Sequence, residues 1–168
     1  GEERFNQYIE NLENPSQTGS ILRSFVLGPV TLLVGFLFQC LILVGMGRIS
    51  TTEGKFMQVF SILLHARFID VILGGALRAL LVITRKSFMA TSTSLAMLFP
   101  KMEIASPAFI ILSQIDFFQL WAYGVLGLGL SQVFKVDMKK GLILAYAVWT
   151  LKTLLYIALG LFSLRFMQ

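Results

Sequence analysis

The sequence predicts an all-α integral membrane protein, and three observations carry that prediction. The 168 residues are 56% hydrophobic and only 14% charged, against roughly 25% charged in an ordinary soluble domain. The mean hydropathy is +0.77. The apolar residues are gathered into four runs, each long enough to meet the roughly 20 helical residues that cross a 30 Å hydrocarbon core.

The chain opens on "GEERFNQYIENLENPSQTGS". Phe5, Tyr8, Ile9 and Leu12 recur at helical spacing, and "NPSQTGS" then breaks the pattern. Residues 1–23 therefore read as a polar, partly amphipathic segment, with residues 24–168 forming a single transmembrane domain. The first span is expected over Ser24–Gly47, with Gly28 and Pro29 at its start or at a kink. The second is expected over Phe56–Ile83, the third over Phe117–Phe134 and the fourth over Leu142–Phe166. Between the second and third, residues 84–115 carry runs too short to span, interrupted by Pro100, Lys101, Glu103 and Pro107. Short re-entrant or interfacial helices fit there. Asp116, with Gln119 three positions on, predicts a capping box that starts the third span.

The net charge of +5 suits basic loops at lipid headgroups rather than a nucleic-acid surface. No Lys/Arg cluster is interleaved with aromatic stacking partners. "RISTTEGK" and "KVDMKK" are the densest in Lys and Arg, which places these two loops on the cytoplasmic side and both ends of the chain on the other. An outward N-terminus without a visible signal peptide predicts a fifth span ahead of Gly1.

Four ionisable residues stand inside the second span, "LLHARFIDVILGGALRALL". Arg67, Asp70, Gly74 and Arg78 are spaced by three, four and four and so share one stripe roughly 16 Å long, while His65 lies on nearly the opposite face. Asp70 sits near midspan and Arg78 near enough to the end to snorkel. Lys152, in the fourth span, is also close to midplane. A charge at a helix centre costs about 2.5 to 3.5 kcal/mol on insertion scales, so these groups should find partners within protein. Arg67 with Asp70, and Asp70 with Lys152 across a helix interface eased by Gly74 and Gly75, are the expected pairs. Ion pairs that fix helix register, contact with an anionic lipid headgroup, and an ion path are the three roles open to such a network. His65 is expected to be hydrogen-bonded within the bundle.

In the third span, Gly127-x-x-x-Ser131 would let backbones approach closely. Trp121, Tyr123, Trp149 and Tyr156 are belt or packing residues. With one Cys and one His, no metal site, cofactor site or catalytic motif is expected.

The second half, "SQIDFFQLWAYGVLGLGLSQVFKVDMKKGLILAYAVW", resembles the signature of the Yip family of multi-span membrane proteins, named for interaction with Ypt/Rab GTPases. An Asp, aromatic residues and a Trp head a Gly-rich span, and a short basic turn leads to a final one. Upstream, "EGKFMQVFSILLHARFIDVI" looks like the family's G-x-x-F-x-Q helix entry, and "SLAMLFP" like its loop element. The matching positions are Gly54, Phe56, Asp116, Phe118, Trp121, Gly127 and Gly129. The resemblance implies five spans with a cytoplasmic N-terminus. It also implies a non-enzymatic role as a scaffold or partner subunit among membrane lipids, other membrane proteins or further copies of itself. The chain departs from the family in "LLHARFID", and the D-L-Y-G-P type motif of eukaryotic trafficking members is absent. Rab-type GTPases are therefore not expected partners. The bacterial branch and its cytoplasmic membrane are favoured, with the endomembranes as the alternative. The competing reading is a small transporter or channel, or an accessory to an efflux complex, working through Arg67, Asp70 and Lys152.

Overall fold

The computed structural model describes residues 22–51, 53–85, 93–99, 101–103 and 106–167, and among these there is no strand, only helices and their connections. The expected amphipathic helix at Phe5–Leu12 lies outside the described residues. The chain forms two compact units, residues 1–38 and 39–168.

A π-helical turn, Arg23–Leu27, leads into α1, Gly28–Ser50. In the first unit Thr31 Oγ1 donates to Leu27 O at 2.7 Å. α2 covers Phe56–Phe68, a second π-helical stretch covers Ile69–Gly74, and α3 covers Gly75–Arg85. The expected second span is thus helical from end to end, but with a wide turn in the middle. Two short helices fall in the region that the sequence assigned to non-spanning pieces: a 3-10 turn at Leu95–Leu98 and α4 at Pro107–Ser113, capped by Ser106 Oγ accepting from Phe109 N. α5 is Phe117–Val133 and α6 is Met138–Met167.

Two stretches, Phe25–Ile49 and Met138–Arg165, are long and apolar enough to cross a membrane, and only 11% of each is buried inside the protein. A core helix of a soluble protein would be mostly buried, whereas these two turn their apolar surfaces outward. Of the four expected spans, these two meet the requirement as single helices. α5 is 17 residues long, at the short end of the spanning range, and the second expected span carries charges inside it.

The second unit is built around α5, which packs along α6 and against α2 and the π turn. Where α5 meets α6 there is no room for side chains. A Cβ at Gly127 would stand 2.8 Å from Leu142 Cα, and one at Gly141 would overlap Gly127 O and come to 2.8 Å from Ser131 Cβ. The small-residue pattern read from Gly127 and Ser131 therefore works with a third member, Gly141. Gly129 faces the other way and leaves its space to Ile62 of α2.

At the end of the unit near the basic turn, Phe134 is fully buried and its ring fills the space beside Gly47 and Gly54. Gly54 has φ +90°, a conformation that L side chains rarely adopt, so the family-like Gly54 is required twice over. Gln58 Oε1 accepts from Lys55 N at 3.0 Å, which gives the Gln of "EGKFMQ" a structural role at the helix entry. Phe56 stacks on Phe60 at 6.0 Å, and its carbonyl accepts from the Cys40 thiol at 3.6 Å.

Candidate functional site: an intramembrane charge network

The π turn organises the site. Gly75 N donates to Asp70 O, five residues back, and also to Ile72 O. A wide turn of this kind leaves backbone groups imperfectly paired and recurs at functional sites. Here Arg78 repairs it. Its Nη2 donates to Asp70 O at 2.8 Å and to Asp70 Oδ1 at 2.9 Å, so one guanidinium seals the bulge and pairs with the carboxylate. Arg78 therefore turns inward along its helix rather than snorkelling to the membrane edge. Gly74 makes this possible, since a Cβ there would stand 2.9 Å from Arg78 Nη2 and 3.1 Å from Phe118 Cγ. Gly75 has nothing within 4 Å of its Cβ position, so only the first of the two glycines serves close packing.

From Asp70 the network runs in two directions. Toward α1, Arg67 Nη1 lies 3.8 Å from Asp70 Oδ2. Its Nη2 donates to Gln39 Oε1 at 2.8 Å and Tyr123 Oη at 3.1 Å, with the guanidinium 5.2 Å from the Tyr123 ring centroid. Gln39 Nε2 donates to Tyr123 Oη at 2.6 Å. Toward α5, Arg78 Nη1 reaches Asp116 Oδ2 at 3.4 Å.

Asp116 is the second anchor. Its Oδ1 accepts from Phe118 N at 2.9 Å and Gln119 N at 3.2 Å, which makes it the N-cap expected from the sequence. Its Oδ2 accepts from Thr93 Oγ1 in a short bond. A bridge between Ser94 and Asp116 ties the preceding segment to the helix start, with Leu95 N donating to Ile115 O at 2.9 Å. One carboxylate thus starts α5, holds the loop "TSLAML" through Thr93 and balances Arg78.

Two expectations change here. The D-x-x-Q box does not close, because the Gln119 side chain is used elsewhere: its Oε1 accepts from Lys152 Nζ at 3.2 Å. The Asp70–Lys152 ion pair does not form either. The ion-pair partners of Asp70 among the described residues are Arg67 and Arg78, and Lys152 bonds Gln119 and lies 5.7 Å from the Tyr156 ring centroid. The physical reason is reach. The π turn brings two guanidiniums to Asp70 from its own helical run, and they fill its acceptor positions before another helix can.

Side-chain exposures of 11% for Arg67, 13% for Asp70, 6% for Asp116 and 33% for Arg78 show a network largely withdrawn from its surroundings. Pairs of this kind contribute little net stability relative to apolar packing, yet removing one partner strands the other at a cost of about 3 to 5 kcal/mol.

The sequence did not single out Gln39, Thr93 or the partner role of Tyr123. Gln39 had a signal, being the one amide in the apolar run of α1. Tyr123 looked like any aromatic residue. His65 is hydrogen-bonded, as expected, but within its own helix. Its Nδ1 meets Ser61 O of its own helix at 2.7 Å, and its exposed ring faces away from the network. Among the family-like positions, Phe118 packs on Gly74 and edge-on to Phe117 at 5.5 Å, while Trp121 is 47% exposed beside Phe117. Among the described residues no group of three or more His, Cys, Asp or Glu could hold a metal ion.

Comparison with known proteins gives one family. No curated protein and no solved structure matches the chain. The model of the Yip1 domain matches residues 5–160, which takes in both halves of the network and every family-like position named above. The charge network at the π turn is therefore a feature of a membrane protein that belongs to the Yip1 domain family.

Proposed function

We propose that this chain is a non-enzymatic scaffold or partner subunit that holds other membrane proteins, with four spans formed by α1, the α2–π–α3 run, α5 and α6. In this reading the turns around Glu53 and Lys135 face the cytoplasm, and the bacterial cytoplasmic membrane is the setting. Membrane-protein partners and lipids, rather than a soluble substrate, are what it contacts.

The observation that supports this reading is the closed accounting of the network. The Asp70 carboxylate meets the guanidiniums of Arg67 and Arg78, and the Asp116 carboxylate meets Arg78, the Thr93 hydroxyl and the backbone N–H groups of Phe118 and Gln119. A transporter of ions or protons needs an intramembrane group that exchanges partners during the cycle. A carboxylate fixed between two arginines, as Asp70 is, or between one arginine and a helix N-terminus, as Asp116 is, is held in one arrangement. The transport alternative is therefore the weaker of the two.

The test is affinity purification of the full chain in mild detergent, followed by mass spectrometry. Recovery of the same membrane proteins with wild type and with Lys152→Leu, together with no flux of ions in proteoliposomes, is the expected result. Flux that disappears in Asp70→Asn would refute the scaffold reading in favour of transport.

A further inference from the structure

The ionisable side chain of α2 that stays outside the network is His65, and it borders a cavity of about 650 Å³ lined by Ile62, His65, Ala66, Leu128, Gln132 and Asp137 among others. The cavity is a groove between α2 and α5. It runs inward from the basic turn, where Asp137 stands, to the level of His65, which lies ten residues past the N-cap Lys55 and so about 15 Å along the helix.

The hydrogen-bond chemistry of this groove has a direction. Ser61 O is a carbonyl and can only accept, so the His65 Nδ1 that meets it at 2.7 Å carries the proton. In the imidazole tautomer that this bond selects, Nε2 is the ring nitrogen left to the groove, and it is an acceptor. At the mouth, Asp137 Oδ2 accepts from Lys139 N at 3.0 Å and leaves its other oxygen as a further acceptor. Between them the walls carry Ile62, Val125 and Leu128, with Ser131 and Gln132 nearer the basic turn, and the floor beside His65 is kept low by Ala66. An acceptor inside a span without a donor is costly in hydrocarbon. Acyl chains have no donor to give. Low, small-residue surfaces with a few hydrogen-bonding side chains are how membrane helices receive one another.

We propose that the α2–α5 groove receives one transmembrane helix of a partner protein, which donates a hydrogen bond to His65 Nε2 and presents a Lys or Arg to Asp137 near its cytoplasmic end. His65 lies about 15 Å along α2 from Lys55 at the start of the helix, so a partner helix would carry its donor roughly ten residues in from its basic residue. This rests on the scaffold reading and specifies its docking surface.

The test uses the full chain with Cys40→Ala and Leu128→Cys in phosphatidylcholine vesicles. The probe is a synthetic Leu/Ala spanning peptide with a terminal Lys, a Gln ten residues in, and a neighbouring Cys for disulfide capture. Capture of the Gln peptide is expected to exceed that of an all-Leu/Ala peptide by at least about fivefold, the ratio that one interhelical hydrogen bond supplies. His65→Leu should abolish the difference and His65→Asn should restore part of it. Should Leu128→Cys fail to fold, Val125→Cys serves the same purpose. Equal capture of both peptides overturns the proposal. So does labelling of the cysteine by an aqueous maleimide, which would mean a water-filled groove, or by a photoactivatable phosphatidylcholine that the Gln peptide fails to displace. Natural partners that persist in His65→Leu purifications would reject this docking site and leave the scaffold reading standing. Absence of any specific partner alongside successful peptide capture would count against the scaffold reading alone.

Discussion

Replacing Asp70 by Leu removes the carboxylate that two guanidiniums share. Arg78 loses its 2.9 Å bond to Oδ1 and keeps its bonds to Asp70 O and Asp116, while Arg67 loses its ion pair at 3.8 Å and keeps Gln39 and Tyr123. Because each arginine retains other partners, the cost should fall at the lower end of the range for a broken buried pair, about 3 kcal/mol. Asp70→Asn keeps an oxygen for Arg78 and should cost about half of that, the difference between a charged and a neutral hydrogen bond. Reversible unfolding in mixed micelles, followed by the fluorescence of Trp121 and Trp149, measures both. A double-mutant cycle supplies the sharper readout. Asp70 and Arg78 should couple by about 1 to 3 kcal/mol, and Asp70 and Lys152 by less than about 0.5 kcal/mol, since they share no bond. A Lys152 coupling as large as that of Arg78, or an Asp70→Leu variant as stable as wild type, would refute the assignment of partners.

Neighbouring glycines should respond oppositely. Gly74→Ala pushes a methyl against Arg78 and Phe118 and should destabilise by about 1 to 3 kcal/mol, whereas Gly75→Ala, with open space around it, should gain about 0.5 to 1 kcal/mol of helix stability; the same unfolding assay reads both. Gly54→Ala combines an unfavourable φ with collision against the Phe134 ring and should cost upwards of about 1 to 2 kcal/mol, seen as a lower midpoint at unchanged slope. Glu53→Ala removes the exposed pair with Lys135 at 3.2 Å and should change stability by less than about 1 kcal/mol, with that small effect fading in high salt.

Local features of the site were legible where a single residue carries the whole signal. Asp116 as the N-cap of α5, Gly127 at a close helix crossing, and Arg67 with Asp70 as an i,i+3 pair all follow from spacing along one helix. The partner of Lys152 did not. A 3.6-residue period assumes a regular α-helix, and the π turn at Ile69–Gly74 shifts the phase of everything after it, including Arg78. Gln39 and Tyr123 come from other helices, and no periodicity within α2 points to them.

The sequence alone determined the solvent this protein folds in, because apolar runs of spanning length require helices whose backbone polar groups are satisfied internally. It also determined that the charges in the second run had to find protein partners, since leaving them in hydrocarbon costs several kcal/mol. Which partners they found was decided by tertiary structure. Both arginines were already close to Asp70 once the helix widened, Lys152 was left to Gln119, and His65 was left facing the groove. Pairing depends on the rotation of each helix about its axis, a quantity set by contacts such as Gly127 against Gly141 and Gly129 against Ile62, which join residues distant in the chain.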